Sequence, residues 1–393
     1  MSTGGSAASW TLWPANSLAA IFDFAASSNR RALGVLAIVS LIAFVPGIFQ
    51  IPPVDRDEAR FAQATKQMIE TGDYVDIRFQ DEVRYKKPVG IYWLQAAVVK
   101  TAEAVGIPRA RTRISLYRIP SLVGALGAVL ATYWCALAFV GRRGAALAAL
   151  MMLGSTLLGV EARLAKTDAM LLLAVVAAMG VLARVYLFPR TGGTTQRDWA
   201  LVAVFWTALA AGILLKGPVI LMIIGLTAGA RSIFDRSARW LMALRPLPGI
   251  VWLLVLVLPW FLAIYARAGG TFFTNAVGHD LLDKVAGGQE SHGAPPGLYF
   301  ILFFATFFPA SILAGLAAPA VWAVRREPAA RFLLAWLLPS WIVFELIPTK
   351  LPHYVLPLYP AVAILIAAAV ETKVLSRQRW QVRPIACSKF RAI

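Results

Sequence analysis

The sequence predicts an all-α polytopic membrane protein of about ten transmembrane helices, and three observations carry that reading. Of the 393 residues, 59% are hydrophobic and 15% charged, against about 45–50% and about 25% in an ordinary soluble domain. Residues 32–51, 115–140, 168–188, 248–266, 298–324 and 353–370 form apolar runs that approach or exceed the ~20 residues a helix needs to cross a bilayer. The charges, formally +18 in sum, concentrate in the connections between those runs. A disordered chain, a disulfide scaffold and a soluble enzyme are excluded. Nucleic acid is excluded as a partner too, because DNA-binding basic surfaces do not come with long apolar runs. The two cysteines, Cys135 in an apolar run and Cys387 in the basic tail, are not placed to pair.

In chain order, residues 1–31 are small and polar, end on Arg30-Arg31 and lack a cleavable-signal pattern. They are expected to be a cytoplasmic segment before an uncleaved first span. Ten spans are expected at 32–51, 115–140, 144–160, 168–188, 200–215, 218–231, 248–266, 298–324, 331–348 and 353–370. Residues 32–370 thus read as one transmembrane domain, with 52–114 as its first outer loop and 371–393 as a basic cytoplasmic tail. One set of connections collects 20 Lys/Arg and 5 Asp/Glu, the other 18 and 15, which together recover all 38 basic and 20 acidic residues. Twelve basic residues of the second set lie between Arg56 and Arg118, a stretch long enough to translocate whatever its charge. Counted over short loops, the positive-inside rule therefore puts both termini in the cytoplasm and 52–114 outside. His279, His292 and His353 all fall on the outer side, so any chemistry is expected there.

The first outer loop opens with Asp55-Arg56-Asp57-Glu58-Ala59-Arg60 at the end of the first span. From Glu58 to Glu70 the period is helical: Phe61, Ala64, Thr65, Met68 and Ile69 share one face, and Thr71-Gly72-Asp73 stops the helix. Such a helix lies in the interface plane. Tyr74–Tyr85 alternates around Gln80-Asp81-Glu82 like a short hairpin. Lys86-Lys87-Pro88 leads into a second juxtamembrane helix at about 89–104, with Tyr92 and Trp93 at interface depth. Asp57, Glu58 and Arg60 set acid and base one turn apart, and Lys87, fixed by Pro88, can return close to them. These residues fit a carboxylate beside cations that grip an anion, and they fit a solvated loop of ion pairs. Asp55-Arg56-Asp57 also matches the acid-any-acid pattern that holds a metal–diphosphate in nucleotide-sugar enzymes, although nucleotide sugars are cytoplasmic.

Asp57-Glu-Ala-Arg-Phe-Ala62, Glu70-Thr-Gly-Asp-Tyr74 and Lys87-Pro88 followed by Tyr92-Trp93 resemble the first periplasmic loop of a known superfamily. It comprises the bacterial aminoarabinose (lipid A) transferases and protein O-mannosyltransferases, which are GT-C membrane glycosyltransferases. The resemblance continues in order through Glu161-Ala-Arg-Leu-Ala-Lys-Thr-Asp168, Leu215-Lys216-Gly217-Pro218 and Lys350-Leu-Pro-His-Tyr-Val-Leu-Pro-Leu-Tyr-Pro360. It covers about 50–370 and implies a GT-C bundle roofed by the two juxtamembrane helices. The implied activity is an inverting transfer of a sugar from a polyprenyl-phosphate carrier to a lipid A, glycan or protein acceptor. It would take place at the periplasmic face of the inner membrane of a bacterium. The implied catalytic carboxylates are Asp57, Glu58 and Asp168, with Asp57 as the base that activates the acceptor. Arg60, Lys87, Lys216, Lys350 and Tyr354 would hold the donor phosphate. Cations aimed at a leaving phosphate lower the barrier as its charge develops, and the phosphate ester supplies the driving force.

Other positions carry paired readings. Asp168 and Thr167 suit a helix N-cap as well as a site, and Lys216 suits a snorkelling anchor as well as a phosphate contact. His279, Asp280, His292 and His353 are candidates for substrate or metal contact, so a divalent cation is the one cofactor left open. The spacing of His279 and His292 matches no compact ligand motif. Glu345 is expected to face the bundle. Two departures from the family pattern stand out: many relatives continue beyond the equivalent of residue 370 into further spans or a periplasmic domain, and Lys86 replaces an acid or neutral residue. A transporter or lipid flippase is the competing class, but it should show similar halves with helices broken at mid-membrane, whereas the polar residues here are one-sided.

Overall fold

A computed structural model of the chain describes residues 13–54, 56–189, 196–275 and 293–372. Asp55, His279, Asp280, His292 and the tail from 373 onward lie outside the described residues. The elements are α1 (Trp13–Ala26), α2 (Asn29–Phe44), α3 (Arg56–Thr71), β1 (Arg78–Phe79), β2 (Glu82–Val83), α4 (Gly90–Ala104), α5 (Ile114–Ala136), α6 (Arg142–Leu153) and α7 (Thr156–Glu161). There follow α8 (Asp168–Leu187), α9 (Gln196–Lys216), α10 (Val219–Phe234), α11 (Pro246–Ala268), α12 (Leu298–Thr306), α13 (Ser311–Ala323), α14 (Pro328–Leu346) and α15 (Tyr359–Glu371). Two single 3-10 turns, Pro352–Tyr354 and Leu356–Leu358, lead into α15.

The chain is an all-helical, multi-pass membrane protein. Among the described residues six helical segments are long and apolar enough to cross a bilayer, Ile114–Ala136, Asp168–Leu187, Asp198–Lys216, Pro246–Ala268, Pro328–Leu346 and Pro352–Glu371. α12 and α13 are together long and apolar enough for a further span but are bent by 117° to one another. Two of the ten expected spans, 32–51 and 144–160, are shorter than expected, and a third, 298–324, is broken. The run 144–160 divides at Gly154-Ser155 into α6 and the one-and-a-half-turn α7. α2 stops before Pro46-Gly47 and α10 is framed by Pro218 and Asp235, leaving 16 residues each, about 24 Å of helix at 1.5 Å per residue. The run 298–324 breaks at 307–310, where Pro309 supplies no backbone donor.

α5 and α8 form the centre. A Cβ on Gly124 would lie 2.6 Å from the Met170 nitrogen, so the two backbones touch and only glycine fits. α8 is buried on nearly every side, from Ala169, Leu171 and Leu172 through Val181 and Leu182, as a helix apolar all round should be. α11 is more apolar still, yet Leu247, Val251, Leu254, Val255, Leu258 and Leu262 are exposed. Those side chains form a face suited to lipid.

The first loop has the architecture its sequence predicts. α3 buries Phe61, Ala64, Thr65, Met68 and Ile69, the paired strands match Arg78 with Val83 and Phe79 with Glu82, and α4 follows at Gly90. Thr65 Oγ1 donates to Gln95 Oε1 at 2.6 Å, joining α3 to α4. Gln95 Nε2 reaches the Ala165 carbonyl at 3.4 Å, joining both to the α7–α8 connection.

Candidate active site

Four separated segments meet at one end of the bundle. Asp168 opens α8, Lys216 closes α9, Glu161 closes α7, and His353 and Tyr354 sit in the turn before α15. Asp168, Lys216 and Glu161 are buried. The Lys216 ammonium donates to Asp168 Oδ1 and lies 5.1 Å from the centroid of the Tyr354 ring, within cation–π range. His353 bridges two carboxylates: its Nε2 is 3.8 Å from Asp168 Oδ1 and its Nδ1 3.6 Å from Glu161 Oε1. Lys166 and Lys87 are within electrostatic range, of Asp168 and Lys216 respectively.

Backbone contacts explain why these residues converge. A Cβ on Gly90 would lie 2.7 Å from the Leu214 carbonyl oxygen, so the start of α4, with Lys87 three residues before it, presses directly on the end of α9. Gly217 takes φ +68 and turns the chain sharply after Lys216. Ser121 of α5 donates to the Lys166 carbonyl at 3.0 Å and fixes the connection that enters α8.

A second, shallower group lies on α3 and the hairpin. Asp57 is 43% exposed, and its Oδ1 faces two guanidinium groups, Arg60 at 3.9 Å and Arg84 at 3.7 Å. Arg84 is buried, lies 5.1 Å from the centroid of the Phe61 ring, and its Nε finds no hydrogen-bond partner. Asp73, in the turn after α3, joins this loop to α11 through Arg267 at 2.9 Å. Burial raises its pKa, but the Val75 and Asp76 N–H groups and Arg267 outweigh that and hold the carboxyl below its ordinary value.

Three sequence candidates are engaged inside the protein. Glu58 is fully buried: Oε1 accepts from Arg118 Nε at 2.7 Å and the Ala165 N–H at 3.0 Å, and Oε2 from Arg118 Nη2 at 3.1 Å. Arg118 in turn binds the carbonyls of Ile48, Ile51 and Pro52, so the pair anchors the first loop to α5 and the end of the first span. The stripe of buried α3 residues, extended one turn back from Phe61, already points to Glu58 as an inward side chain. Lys350 is buried, and its ammonium donates to the carbonyls of Glu345 and Ile347 at 2.7 Å each and Phe344 at 3.5 Å, capping α14. Glu345, expected to face the bundle, caps α12 through the Gly297 and Phe300 N–H groups at 2.8 and 3.1 Å.

One trio of metal-ligand type lies in this cluster. Among the described residues, Glu161, Asp168 and His353 bring ligand atoms within 4.8 Å of one another. Asp168 Oδ1 already holds the Lys216 ammonium, which a dication on that oxygen would face at contact distance. Sequence reasoning passed over three residues of these networks. Glu161 and Arg118 were quoted or counted without being weighed as partners, because a single acid or base in an apolar run says nothing about what it meets. Arg84 lay in an alternating hairpin where inward and outward faces were not assigned.

The bundle thus carries an exposed apolar face and, at one end, a buried carboxylate shared by a lysine and a histidine. The dolichyl-phosphate-mannose-protein mannosyltransferase family matches residues 34–270, and the chain belongs to it. The undecaprenyl phosphate-α-4-amino-4-deoxy-L-arabinose arabinosyl transferase of Pseudomonas paraeruginosa is 29% identical, covering 87% of this chain and 60% of that protein. Its counterpart in Pectobacterium carotovorum is 27% identical over 82% of this chain and 57% of that protein. The chain thus spans less than two thirds of these relatives' length. Its fold matches the crystal structure of ArnT from Cupriavidus metallidurans bound to undecaprenyl phosphate, with TM-score 0.74, 21% identity and coverage of 86% and 59%. It also matches the archaeal oligosaccharyltransferase AglB from Archaeoglobus fulgidus, with TM-score 0.58 and 13% identity over 87% of this chain and 50% of that one.

Proposed function

We propose that the protein is an inverting glycosyltransferase that moves a sugar from a polyprenyl-phosphate carrier to a lipid A, glycan or protein acceptor. The observation that carries this reading is Lys216 on the buried Asp168 carboxylate, with the Tyr354 ring beside its ammonium and Lys87 within electrostatic range of it, three separate motifs brought together. Lys216 and Lys87 hold the carrier phosphate, with Tyr354 flanking Lys216. Arg60 sits beside Asp57. Asp57, part-exposed and steered by two guanidiniums, takes the acceptor hydroxyl proton. The hydroxyl attacks the anomeric carbon from the face opposite the phosphate and inverts it in a single displacement. Asp168 orients Lys216. Glu58 and Lys350 act as positioning residues, because their polar atoms are engaged by protein groups. The reading needs no metal. The topology it assumes is multi-pass in the inner membrane, both termini cytoplasmic and the Asp168 end periplasmic, as the basic residues of the short loops indicate.

The test is transfer from radiolabelled polyprenyl-phosphoryl sugar in reconstituted membranes. Asp57→Asn should lower turnover about 10²–10⁴-fold, the usual contribution of a general base. Undiminished transfer in that variant would remove Asp57 from the mechanism, and wild-type protein that never binds the carrier would remove the function.

A further inference from the structure

Asp57 and Glu58 are neighbours on α3 and each faces an arginine, but the two pairs are built differently. Arg118 grips Glu58 with the Nε and Nη2 edge of its guanidinium, at 2.7 and 3.1 Å from the two carboxylate oxygens. Arg84 comes no nearer to Asp57 than 3.7 Å, from Nη2 to Oδ1, which is beyond hydrogen-bond distance. Its side chain is only 7% exposed, yet among the described residues its Nε meets no hydrogen-bond partner. A buried donor without an acceptor costs free energy that a charged acceptor recovers. The Nε and Nη2 edge is also the fork that fits two oxygens of one phosphate.

The fork is held open by its surroundings. The Arg84 N–H donates to the Ile77 carbonyl at 2.8 Å, and the hydroxyl of the next residue, Tyr85, donates to Asp76 at 2.6 Å. Gln67 of α3 clamps the tip of the hairpin, donating to the Gln80 carbonyl at 2.8 Å and accepting from its N–H at 2.9 Å. The Phe61 ring lies 5.1 Å from the guanidinium carbon and packs in turn on Tyr92. The guanidinium is therefore supported on its face, and the part-exposed Asp57 is the group at its edge. We propose that Arg84 is a ligand-binding residue whose Nε and Nη2 take two oxygens of a phosphate, displacing Asp57 from the guanidinium. The inference rests on the transfer reading and deepens it, because a phosphate in the fork hands the Asp57 carboxylate to the acceptor hydroxyl. That phosphate belongs to the carrier or to the acceptor, and competition tells the two apart.

The experiment uses the full chain in nanodiscs, with undecaprenyl phosphate and inorganic phosphate as probes and undecaprenol as the uncharged control. Arg84→Gln should weaken phosphate binding about 10–100-fold, the range of a hydrogen bond to a charged group, and leave undecaprenol binding unchanged. Arg84→Lys should recover part of the loss, since a point charge replaces the fork. Asp57→Asn should bind phosphate at least as tightly as wild type, because no carboxylate then competes for Nη2. If the carrier fills the fork, undecaprenyl phosphate shows these changes and, at saturation, excludes inorganic phosphate. If the acceptor fills it, carrier affinity stays unaltered, and the substitutions act on inorganic phosphate bound to the carrier-saturated protein. An ion pair that merely holds the loop would give another pattern, with Asp57→Asn weakening phosphate binding as Arg84→Gln does. That pattern, or an Arg84→Gln variant that alters neither probe, overturns the proposal and leaves the transfer reading standing. Where Arg84→Gln fails to fold, Arg84→Lys with wild-type affinity for both probes overturns it equally. A wild-type chain that binds no undecaprenyl phosphate overturns both.

Discussion

The two ends of α8, a 20-residue helix and so about 30 Å long, carry buried charges that are arranged in opposite ways. At the Tyr186 end, Arg231 donates to both carboxylate oxygens of Asp235 at 2.6 and 2.7 Å and to the Tyr186 hydroxyl. Tyr186 donates on to Asp235 at 2.8 Å. Arg184 beside them binds the Gly180 and Trp134 carbonyls and lies 3.9 Å from the centroid of the Trp134 ring. Each cation there is matched by an acceptor of the protein itself. At the Asp168 end Lys87, Lys166 and Lys216 gather around Glu161 and Asp168, with His353 between the carboxylates. Burying a cation costs free energy unless a partner offsets it, and at the Asp168 end the Lys216–Asp168 pair is shared with His353 rather than closed on itself. A balanced group marks a structural joint.

The largest expected effect tests whether balance, rather than location, decides the role. Arg118 and Glu58 lie at the Asp168 end yet form a closed pair, as Arg231 and Asp235 do at the other. Arg118→Met should lower stability by about 3–5 kcal/mol, because it leaves a buried carboxylate without its cation. Arg231→Gln should cost somewhat less, since Asp235 is part-exposed. Thermal unfolding in detergent measures both. Neither variant should change affinity for undecaprenyl phosphate below its melting transition, and a loss of affinity with Arg118→Met alone would put the closed pair in the binding site after all.

Lys216→Gln is the converse. Asp168 keeps His353, so unfolding should shift less than in Arg118→Met, whereas carrier affinity should fall about 10–100-fold, the worth of a charge-assisted hydrogen bond. Equal losses in Lys216→Gln and Arg231→Gln would erase the distinction between the two ends. Tyr354→Leu removes the ring 5.1 Å from the Lys216 ammonium and should weaken carrier binding by about 0.5–2 kcal/mol, the range of a cation–π contact. Tyr354→Phe should retain most of that, which separates the ring's contribution from the hydroxyl's.

The contrast also shows what could be read in advance. The one-face pattern of Phe61, Ala64, Thr65, Met68 and Ile69, the hairpin and the helix after Pro88 were all legible, because amphipathic periodicity reports directly which side is buried. Asp168, Lys216, His353 and Tyr354 were legible as motifs, and the structure gathers them into one group. The interruptions within the apolar runs were not, because hydropathy ignores the break at Pro309 and the stop at Pro46-Gly47. The helix-capping partners of Lys350 and Glu345 were not legible for a related reason. A charge at the end of a span satisfies the helix's own unpaired carbonyls or N–H groups before it reaches any ligand, and composition does not reveal that demand. Glu161 was invisible as a partner of His353, since 192 positions separate them and only packing closes the distance.

The smallest effect concerns how the first loop, which carries Asp57 and Lys87, is held to the bundle. Asp73 accepts from the Val75 and Asp76 N–H groups at 2.9 and 3.1 Å and pairs with Arg267 of α11. These partners hold its carboxyl below the ordinary value in the folded protein, while the unfolded chain keeps the ordinary one. The stabilisation is therefore complete above the ordinary aspartate value and is lost as pH falls from there through the lower folded one. Arg267 is mostly exposed, so the pair should contribute about 0.2–1 kcal/mol and less in high salt. Asp73→Asn keeps an oxygen for the two N–H groups and removes the charge alone. Its melting temperature should lie slightly below wild type at neutral pH, with the gap closing in acid and in salt. A gap that persists unchanged at low pH would mean that the loop is held by shape rather than by this charge, and that the ion pair to α11 is incidental to placing Asp57.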